Sequence, residues 1–230
     1  MPGPRTPRAL AEKRLFLVAS IAAALAFHYL RAGPWPDLWV VPLKGAAVAL
    51  LALYAVLRHS SSDARLLAIM LVIAAAGDMV AEFDGVAARA LYAGHHLVAL
   101  LLYLRHRRTV LARADKAVAV ALLLLPAIAL RLLAGPGVGD MIVATYGLAL
   151  GAMAAGAWTS SFPRARVGAG AVLLVAADLL LAAGATALAA SPVPPIFAWP
   201  LAYLGQLLVT TGVIATLRKR DPELRLVSSR

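Results

Sequence analysis

The stretch "LLVAADLLLAAG", residues 173–184, surrounds one aspartate, Asp178, with only aliphatic residues and glycine. A second stretch, "AAAGDMVAEFDG" at residues 74–85, places Asp78 in similar surroundings. Apolar runs of this kind are typical of helices that cross a membrane, where an ionisable side chain is costly and by default marks a functional site. Both stretches therefore predict a membrane protein that keeps carboxyl groups away from water.

The composition of the whole chain supports this interpretation. Of its 230 residues, 62% are hydrophobic and 14% are charged, whereas a soluble domain is about half apolar and about a quarter charged. The chain has no cysteine, which excludes disulfides, thiol catalysis and thiolate metal sites. Its net charge of +11 is explained by basic loops that set the orientation in the membrane. We therefore expect no nucleic-acid partner.

We predict an all-α fold, a polytopic membrane protein of about eight transmembrane helices, each needing about 20 mostly apolar residues. The predicted spans are residues 14–31, 39–57, 64–83, 86–105, 115–134, 138–158, 166–188 and 198–217. The breaks between the spans carry Pro, Gly, Ser or charged residues, which end or expose a helix. Because these breaks are short, residues 1–230 are expected to form a single transmembrane domain.

The basic residues predict the orientation of these spans. Of the 22 Lys and Arg residues, 18 fall on the side that holds both termini and the even-numbered loops, three fall on the other side, and Lys44 lies inside a span. This asymmetry predicts cytoplasmic termini, and we expect the bacterial inner (plasma) membrane. A basic segment before an apolar run is also typical of a signal peptide. An uncleaved first span is the interpretation that we favour.

Polar side chains on several predicted spans fall at similar depths, between the outer third and the midplane, at about 1.5 Å of rise per residue. They are Lys44, Asp78, Tyr92, His95, His96, Tyr146, Asp178 and Gln206. This pattern predicts a polar cavity in the outer half of the bundle. Neighbouring residues on a helix diverge by about 100°, so one of the two adjacent histidines is expected to point elsewhere.

Structural roles compete with functional ones for several of these residues. Tyr146 and Gln206 can simply bridge helices, and Lys44 can extend toward the interface. A solvated rim at a helix end is expected to consist of Glu82, Asp84 and Arg89. For the two aspartates a structural role is the weaker interpretation, because burying an unpaired carboxylate costs several kcal/mol or keeps it protonated.

The sequence also contains an internal similarity. Tyr92-Ala-Gly-His95 matches Tyr203-Leu-Gly-Gln206, and each motif follows a helix that carries a buried aspartate. This match predicts two parallel four-helix repeats related by an axis along the membrane normal. It also adds Tyr203 to the candidate site residues.

The chain resembles the YhhN-type lysoplasmalogenase family of integral membrane proteins. The resemblance rests on "GDMVAEFDGVAARALYAGHHLVALLLYL" (77–104), on "LLVAADLLLAAG" with "AYLGQLLV" (202–209), and faintly on "VPLKGAAV" (41–48). The chain departs from the family at Ala177, where the family often has serine, and in the order of Leu43 and Lys44. Family members hydrolyse the vinyl-ether bond of lysoplasmalogens, which gives a fatty aldehyde and a glycerophospho-base.

The chemistry of this reaction agrees with the residues present. A vinyl ether breaks after protonation of its outer alkene carbon, so the reaction needs one protonated carboxyl and one carboxylate that stabilises the cation and activates water. We predict Asp78 and Asp178 as these catalytic residues, and no cofactor is required. We expect the lysophospholipid substrate to contact Lys44, Tyr92, His95, His96, Tyr146, Tyr203 and Gln206. The chain has no Gly-x-Ser-x-Gly motif and no serine in the polar layer, which argues against a serine hydrolase.

Two other functions stay open. A metal-dependent lipid hydrolase would use Asp78, Asp178 and a histidine as ligands. A proton-coupled transporter or lipid carrier would use the same buried carboxyls, although the spans around them contain few Gly or Pro interruptions. Gly147 and Gly151 are spaced to pack helices within one chain or between chains, so the sequence leaves the oligomeric state open.

The predicted orientation is tested by cysteine labelling, since the chain has no cysteine of its own. We expect Ser229→Cys to be protected from a membrane-impermeant thiol reagent in intact cells, because the C-terminus is cytoplasmic. Ser191→Cys, in the last outer loop, should react in the same cells. Reaction of Ser229→Cys without lysis would overturn the orientation.

Overall fold

The computed structural model describes residues 14–134 and 140–221. Within these ranges the chain forms eight α-helices and no β-strand, apart from an isolated bridge between Arg107 and Ser160. The helices are α1 (Leu15–Leu30), α2 (Asp37–Arg58), α3 (Ser62–Val80), α4 (Gly85–Arg105), α5 (Arg113–Ala134), α6 (Asp140–Thr159), α7 (Ala169–Gly184) and α8 (Val193–Arg220). A π-helical turn, Arg164–Gly168, leads directly into α7. The predicted all-α fold is confirmed.

Six of these helical segments are long and apolar enough to cross a membrane by length and composition. They are α2, α4, α5, α6, α8 and the continuous segment Arg164–Gly184. Helix α1 is apolar but has only 16 residues. Helix α3 has 19 residues and carries Asp63, Arg65 and Asp78 among them. The chain is therefore a multi-pass membrane protein.

The predicted break before the last span is wrong in its position. Helix α8 begins at Val193, five residues before the predicted start, and it contains Pro194, Pro195 and Pro200. A proline in the first turn of a helix sacrifices no hydrogen bond, because the first N–H groups have no partner inside the helix. The preceding helix, α7, ends at Gly184 rather than at residue 188.

Some predictions fall on residues outside the described ranges. These are the basic N-terminal segment up to residue 13, most of the predicted turn at residues 134–140, and the basic C-terminal end after residue 221. The loops that connect α2 to α3, α4 to α5 and α6 to α7 are described.

The chain divides into two compact units. The first consists of the chain up to Tyr92 and the segment from Leu217 onward, and the second is Ala93–Thr216. The division falls inside α4 and α8, so the units do not coincide with the predicted four-helix repeats. The repeats and the single transmembrane domain stay predictions.

In the first unit, helix α2 packs against α1 and α3. The buried Ser20 hydroxyl donates a hydrogen bond to the carbonyl oxygen of Ala47, which ties α1 to α2 without leaving either polar group unpaired. The Ser61 hydroxyl caps α3 by accepting from the N–H of Ala64 at 3.2 Å. At the end of α8, Asp221 lies 3.5 Å from His59, which follows α2. This contact joins the two segments of the chain that make up the first unit.

In the second unit, glycines let helix backbones approach closely. The backbone of α6 at Gly151 lies against the carbonyl oxygen of Leu123 in α5, with no room for a Cβ atom between them. An ideal Cβ on Gly170 of α7 would lie 2.7 Å from the carbonyl oxygen of Gly205 in α8. Small residues at such crossings maximise van der Waals contact in a membrane, where burial of apolar surface gives little driving force. The predicted Gly147-x-x-x-Gly151 motif therefore packs within the chain.

We predict that Gly151→Ala destabilises the protein, because its methyl group would overlap the carbonyl oxygen of Leu123. Overpacking of this kind costs about 1–3 kcal/mol, so the midpoint of thermal unfolding in detergent should fall by several degrees. Gly85→Ala is the matched control, since its Cβ would meet only the Arg89 guanidinium at 4.0 Å. Equal midpoints for the two variants would contradict the close packing of α5 and α6.

Candidate functional site

The first aspartate, Asp78, is buried near the C-terminal end of α3. The hydroxyl of Tyr92, on α4, donates a hydrogen bond of 2.8 Å to its Oδ1 atom. An ideal Cβ on Gly77 would lie 2.8 Å from the Tyr92 ring, so the glycine before the aspartate makes room for the ring that holds it. Two residues predicted for the site, Asp78 and Tyr92, are therefore in direct contact.

Lys44 and Glu82 form an ion pair in the same unit, with 2.6 Å between Nζ and Oε1. The Lys44 side chain is 10% exposed and that of Glu82 is 42% exposed. The ammonium also lies 5.7 Å from the centre of the Phe27 ring. Glu82 is exposed at the helix end, as expected for a residue of the rim, and it also supplies the counter-charge that a buried ammonium group needs.

The rest of the predicted rim lies at the helix end as expected. Asp84 is exposed and accepts hydrogen bonds from the backbone N–H groups of Val86 and Ala87, at 2.8 Å and 3.0 Å. These two bonds at the start of α4 stabilise the charged carboxylate and hold the pKa of Asp84 below its usual value. Arg89 is exposed and donates to the carbonyl oxygen of Gly85 at 3.1 Å.

The second aspartate, Asp178, belongs to a cluster of three helices in the second unit. The hydroxyl of Tyr146 donates to its Oδ2 atom at 3.0 Å. The Nε2 atom of His96 lies 3.5 Å from the same oxygen and 3.4 Å from the Tyr146 hydroxyl. His96 is 3% exposed, whereas the Asp178 side chain is 20% exposed. Helices α4, α6 and α7 thus bring together three predicted site residues.

His95 and Gln206 form a separate polar pair between α4 and α8. Their Nε2 atoms are 3.1 Å apart, and both side chains are buried. As expected, the two adjacent histidines point in different directions, and His95 lies against Gln206 whereas His96 lies against Asp178. In this unit α4 therefore meets polar groups on both of the faces that they occupy. Their ring centres are 5.1 Å apart.

The two tyrosines that matched in sequence have different contacts. Tyr92 donates to Asp78, whereas Tyr203 stacks on Trp199 with 5.6 Å between ring centres. The tyrosine that donates to Asp178 is Tyr146. Tyr146 lies outside both matched motifs.

The arrangement supports acid–base chemistry in each unit by itself. In each unit a tyrosine hydroxyl donates to an aspartate and fixes the orientation of its carboxyl group. Asp178 also has the imidazole of His96 within 3.5 Å of its Oδ2 atom. Among the described residues, no three His, Asp or Glu side chains converge closely enough to hold a metal ion.

Sequence reasoning missed the roles of Phe27 and Glu82. Phe27 is one of many apolar residues in α1 and carries no distinguishing signal. The spacing of Glu82 is a usable signal, because it follows Asp78 by four residues and so continues the same face of α3 beyond the end of the helix.

Comparison with known proteins places these residues in a family. The sequence model of the YhhN family matches residues 38–213, which are 176 of the 230 residues and include every predicted site residue. Neither the curated proteins nor the solved structures give a match. Since the family match covers about three quarters of the chain and both aspartates, this protein is a member of the YhhN family.

Proposed function

We propose that this chain is a membrane-embedded hydrolase that cleaves the vinyl-ether bond of lysoplasmalogens or of a related lysolipid ether. The products are a fatty aldehyde and a glycerophospho-base. Membership of the YhhN family supports the proposal. The observation that carries it is that each of the two aspartates, one buried and one half-buried, accepts a hydrogen bond from a tyrosine hydroxyl, and that Asp178 also has an imidazole within 3.5 Å.

The reaction consumes one water molecule and proceeds through a cation. A carboxylic acid donates its proton to the outer alkene carbon, and the positive charge that results is shared between the inner carbon and the ether oxygen. Water adds to the inner carbon and loses a proton to a carboxylate, which gives a hemiacetal. The hemiacetal collapses to the aldehyde and releases the glycerol oxygen as an alcohol.

We assign proton donation to Asp178. His96 and Tyr146 both lie within 3.5 Å of its Oδ2 atom, so a proton lost to the substrate can be replaced from the imidazole. Loss of a positioned proton donor slows such a step about 10²–10⁴-fold.

We assign the role of the stabilising carboxylate to Asp78, the buried aspartate of α3. The hydrogen bond from Tyr92 at 2.8 Å holds this carboxyl group in place, and a carboxylate stabilises an oxocarbenium-like cation in glycosidases in the same way.

The proposed location is the bacterial inner membrane, with both termini in the cytoplasm. The distribution of 18 basic residues on one side against three on the other supports this orientation. It would place Lys44 and Glu82 in the outer half of the bilayer, within reach of lysolipids from that leaflet.

Asp78→Asn and Asp178→Asn should each lower aldehyde release at least about 100-fold. An amide keeps the shape of the carboxyl group but neither donates the proton nor carries the charge. Aldehyde release is measured on purified protein with a lysoplasmalogen. Asp84→Asn is the control, because it removes an exposed charge and keeps an acceptor for the helix cap. Substantial activity in a folded single variant would remove that aspartate from the mechanism.

The position of the new hydrogen provides a second test. In D₂O, with the aldehyde trapped quickly, we expect one deuterium on the carbon next to the carbonyl, because the donated proton stays there. In ¹⁸O water the released glycerophospho-base should keep its unlabelled oxygen, since water attacks the alkenyl carbon. Label in the glycerol would mean that a different bond breaks.

The same assay separates the other candidate functions. A transporter releases no aldehyde, and a metal-dependent hydrolase loses its activity on treatment with a chelator. We expect aldehyde release that a chelator does not change.

A further inference from the structure

A group of charged side chains surrounds Phe27 at one end of the first unit. Lys44 and Arg31 lie 5.7 Å and 5.9 Å from the centre of its ring, and Glu82 pairs with Lys44 at 2.6 Å. The charge of Glu82 also acts on Arg31, whose pKa is nevertheless lowered from its usual value, because partial burial disfavours the charged guanidinium. We call Phe27, Arg31, Lys44 and Glu82 the Phe27 cluster.

The surroundings of the cluster are typical of the level that lipid head groups occupy. Several large and strongly exposed side chains lie in the connections from α1 to α2 and from α3 to α4 or in the adjacent turns of α1 and α2. These are Tyr29, Trp35, Trp39 and Phe83. Exposed Trp and Tyr residues are enriched where the hydrocarbon core meets the head groups. Arg31 and Glu82 belong to these same two connections.

The charges of the cluster match a head group that carries both signs. Arg31 and Lys44 supply two positive charges, and Glu82 supplies one negative charge. The cluster therefore offers positive groups to a phosphate diester and a negative group to an ammonium. The Glu82 side chain is 42% exposed although its Oε1 atom already contacts Lys44, so the carboxylate remains accessible to a second cation.

We propose that the Phe27 cluster binds a zwitterionic phosphobase head group. The phosphate contacts Lys44 and Arg31, and the ammonium group contacts Glu82. The inference rests on the proposed function in one respect, because it treats the bound lipid as the substrate. Glu82 follows Asp78 by four residues, about one helical turn or roughly 6 Å. A head group held by the Phe27 cluster therefore lies near the same end of α3 as Asp78.

Binding of lipids that cannot be cleaved tests this proposal on the full chain in detergent. The probes are alkyl-ether lysolipids that lack the vinyl group and carry phosphocholine, phosphate alone or no head group. Each competes with a fluorescent alkyl lysolipid. We expect the wild type to bind the phosphocholine form about 10-fold more tightly than the phosphate form, because the phosphate form lacks the ammonium that contacts Glu82. The form without a head group should bind least tightly, because it also lacks the phosphate.

Three variants assign the contacts. Glu82→Gln should abolish the preference for phosphocholine over phosphate. Arg31→Gln should weaken the binding of both phosphate-bearing lipids several-fold and leave the binding of the lipid without a head group unchanged. This variant keeps the Lys44–Glu82 pair. Asp84→Asn removes a carboxylate two residues from Glu82 and should bind all three lipids as the wild type does. If Glu82→Gln does not fold, Arg31→Gln still tests the phosphate contact.

The outcomes distinguish the inference from the proposed function. Graded binding without any aldehyde release from a lysoplasmalogen would refute the hydrolase and leave the head-group site supported. Equal binding of the three lipids by the wild type, or an unchanged preference in Glu82→Gln, would overturn the head-group site whatever the activity. Competition by soluble phosphocholine as effective as that of the lysolipid would show a site for a free phosphate compound and contradict the lipid assignment.

Discussion

The structure depends on how a carboxyl group is held inside apolar helices. A buried carboxylate without a partner costs several kcal/mol, and here each aspartate receives a hydrogen bond from a tyrosine on a different helix. The same requirement explains the pairing of Lys44 with Glu82. These bonds also fix how the helices are rotated about their axes, because a short side chain reaches its partner from only one orientation.

Close helix packing makes these contacts possible. Gly77 lies against the ring of Tyr92. A Cβ atom at this position would overlap the ring, so only glycine lets the backbone beside Asp78 come this close to Tyr92. In the second unit the glycines at positions 151, 170 and 205 bring backbones together in the same way. Interactions between helices in a membrane gain little from burying apolar surface, so contact area and internal hydrogen bonds contribute most of their stability.

The sequence predicts the helices well, but it does not show which polar side chains pair between them. Eight helices follow from the length and polarity of the apolar runs, whereas the start of α8 was misplaced because prolines that break a helix interior are tolerated in a first turn. Asp78 and Asp178 stand out because their neighbours are apolar. The partner of Asp178, Tyr146, lies 32 residues away, and only the rotation and packing of whole helices decide such a pairing. The role of Glu82 was missed for the same reason.

The contact between His95 and Gln206 has a consequence for the interior of the second unit. With two nitrogens facing each other, the amide donates and the ring nitrogen of His95 accepts. The oxygen and nitrogen of an amide have nearly the same size, and the Oε1 atom of Gln206 is buried without a hydrogen bond. A half-turn of the amide would present this oxygen to His95 and accept a proton bound there. One bond rotation of the amide therefore lets Gln206 pair with either tautomer of the His95 imidazole, and the helices need not move.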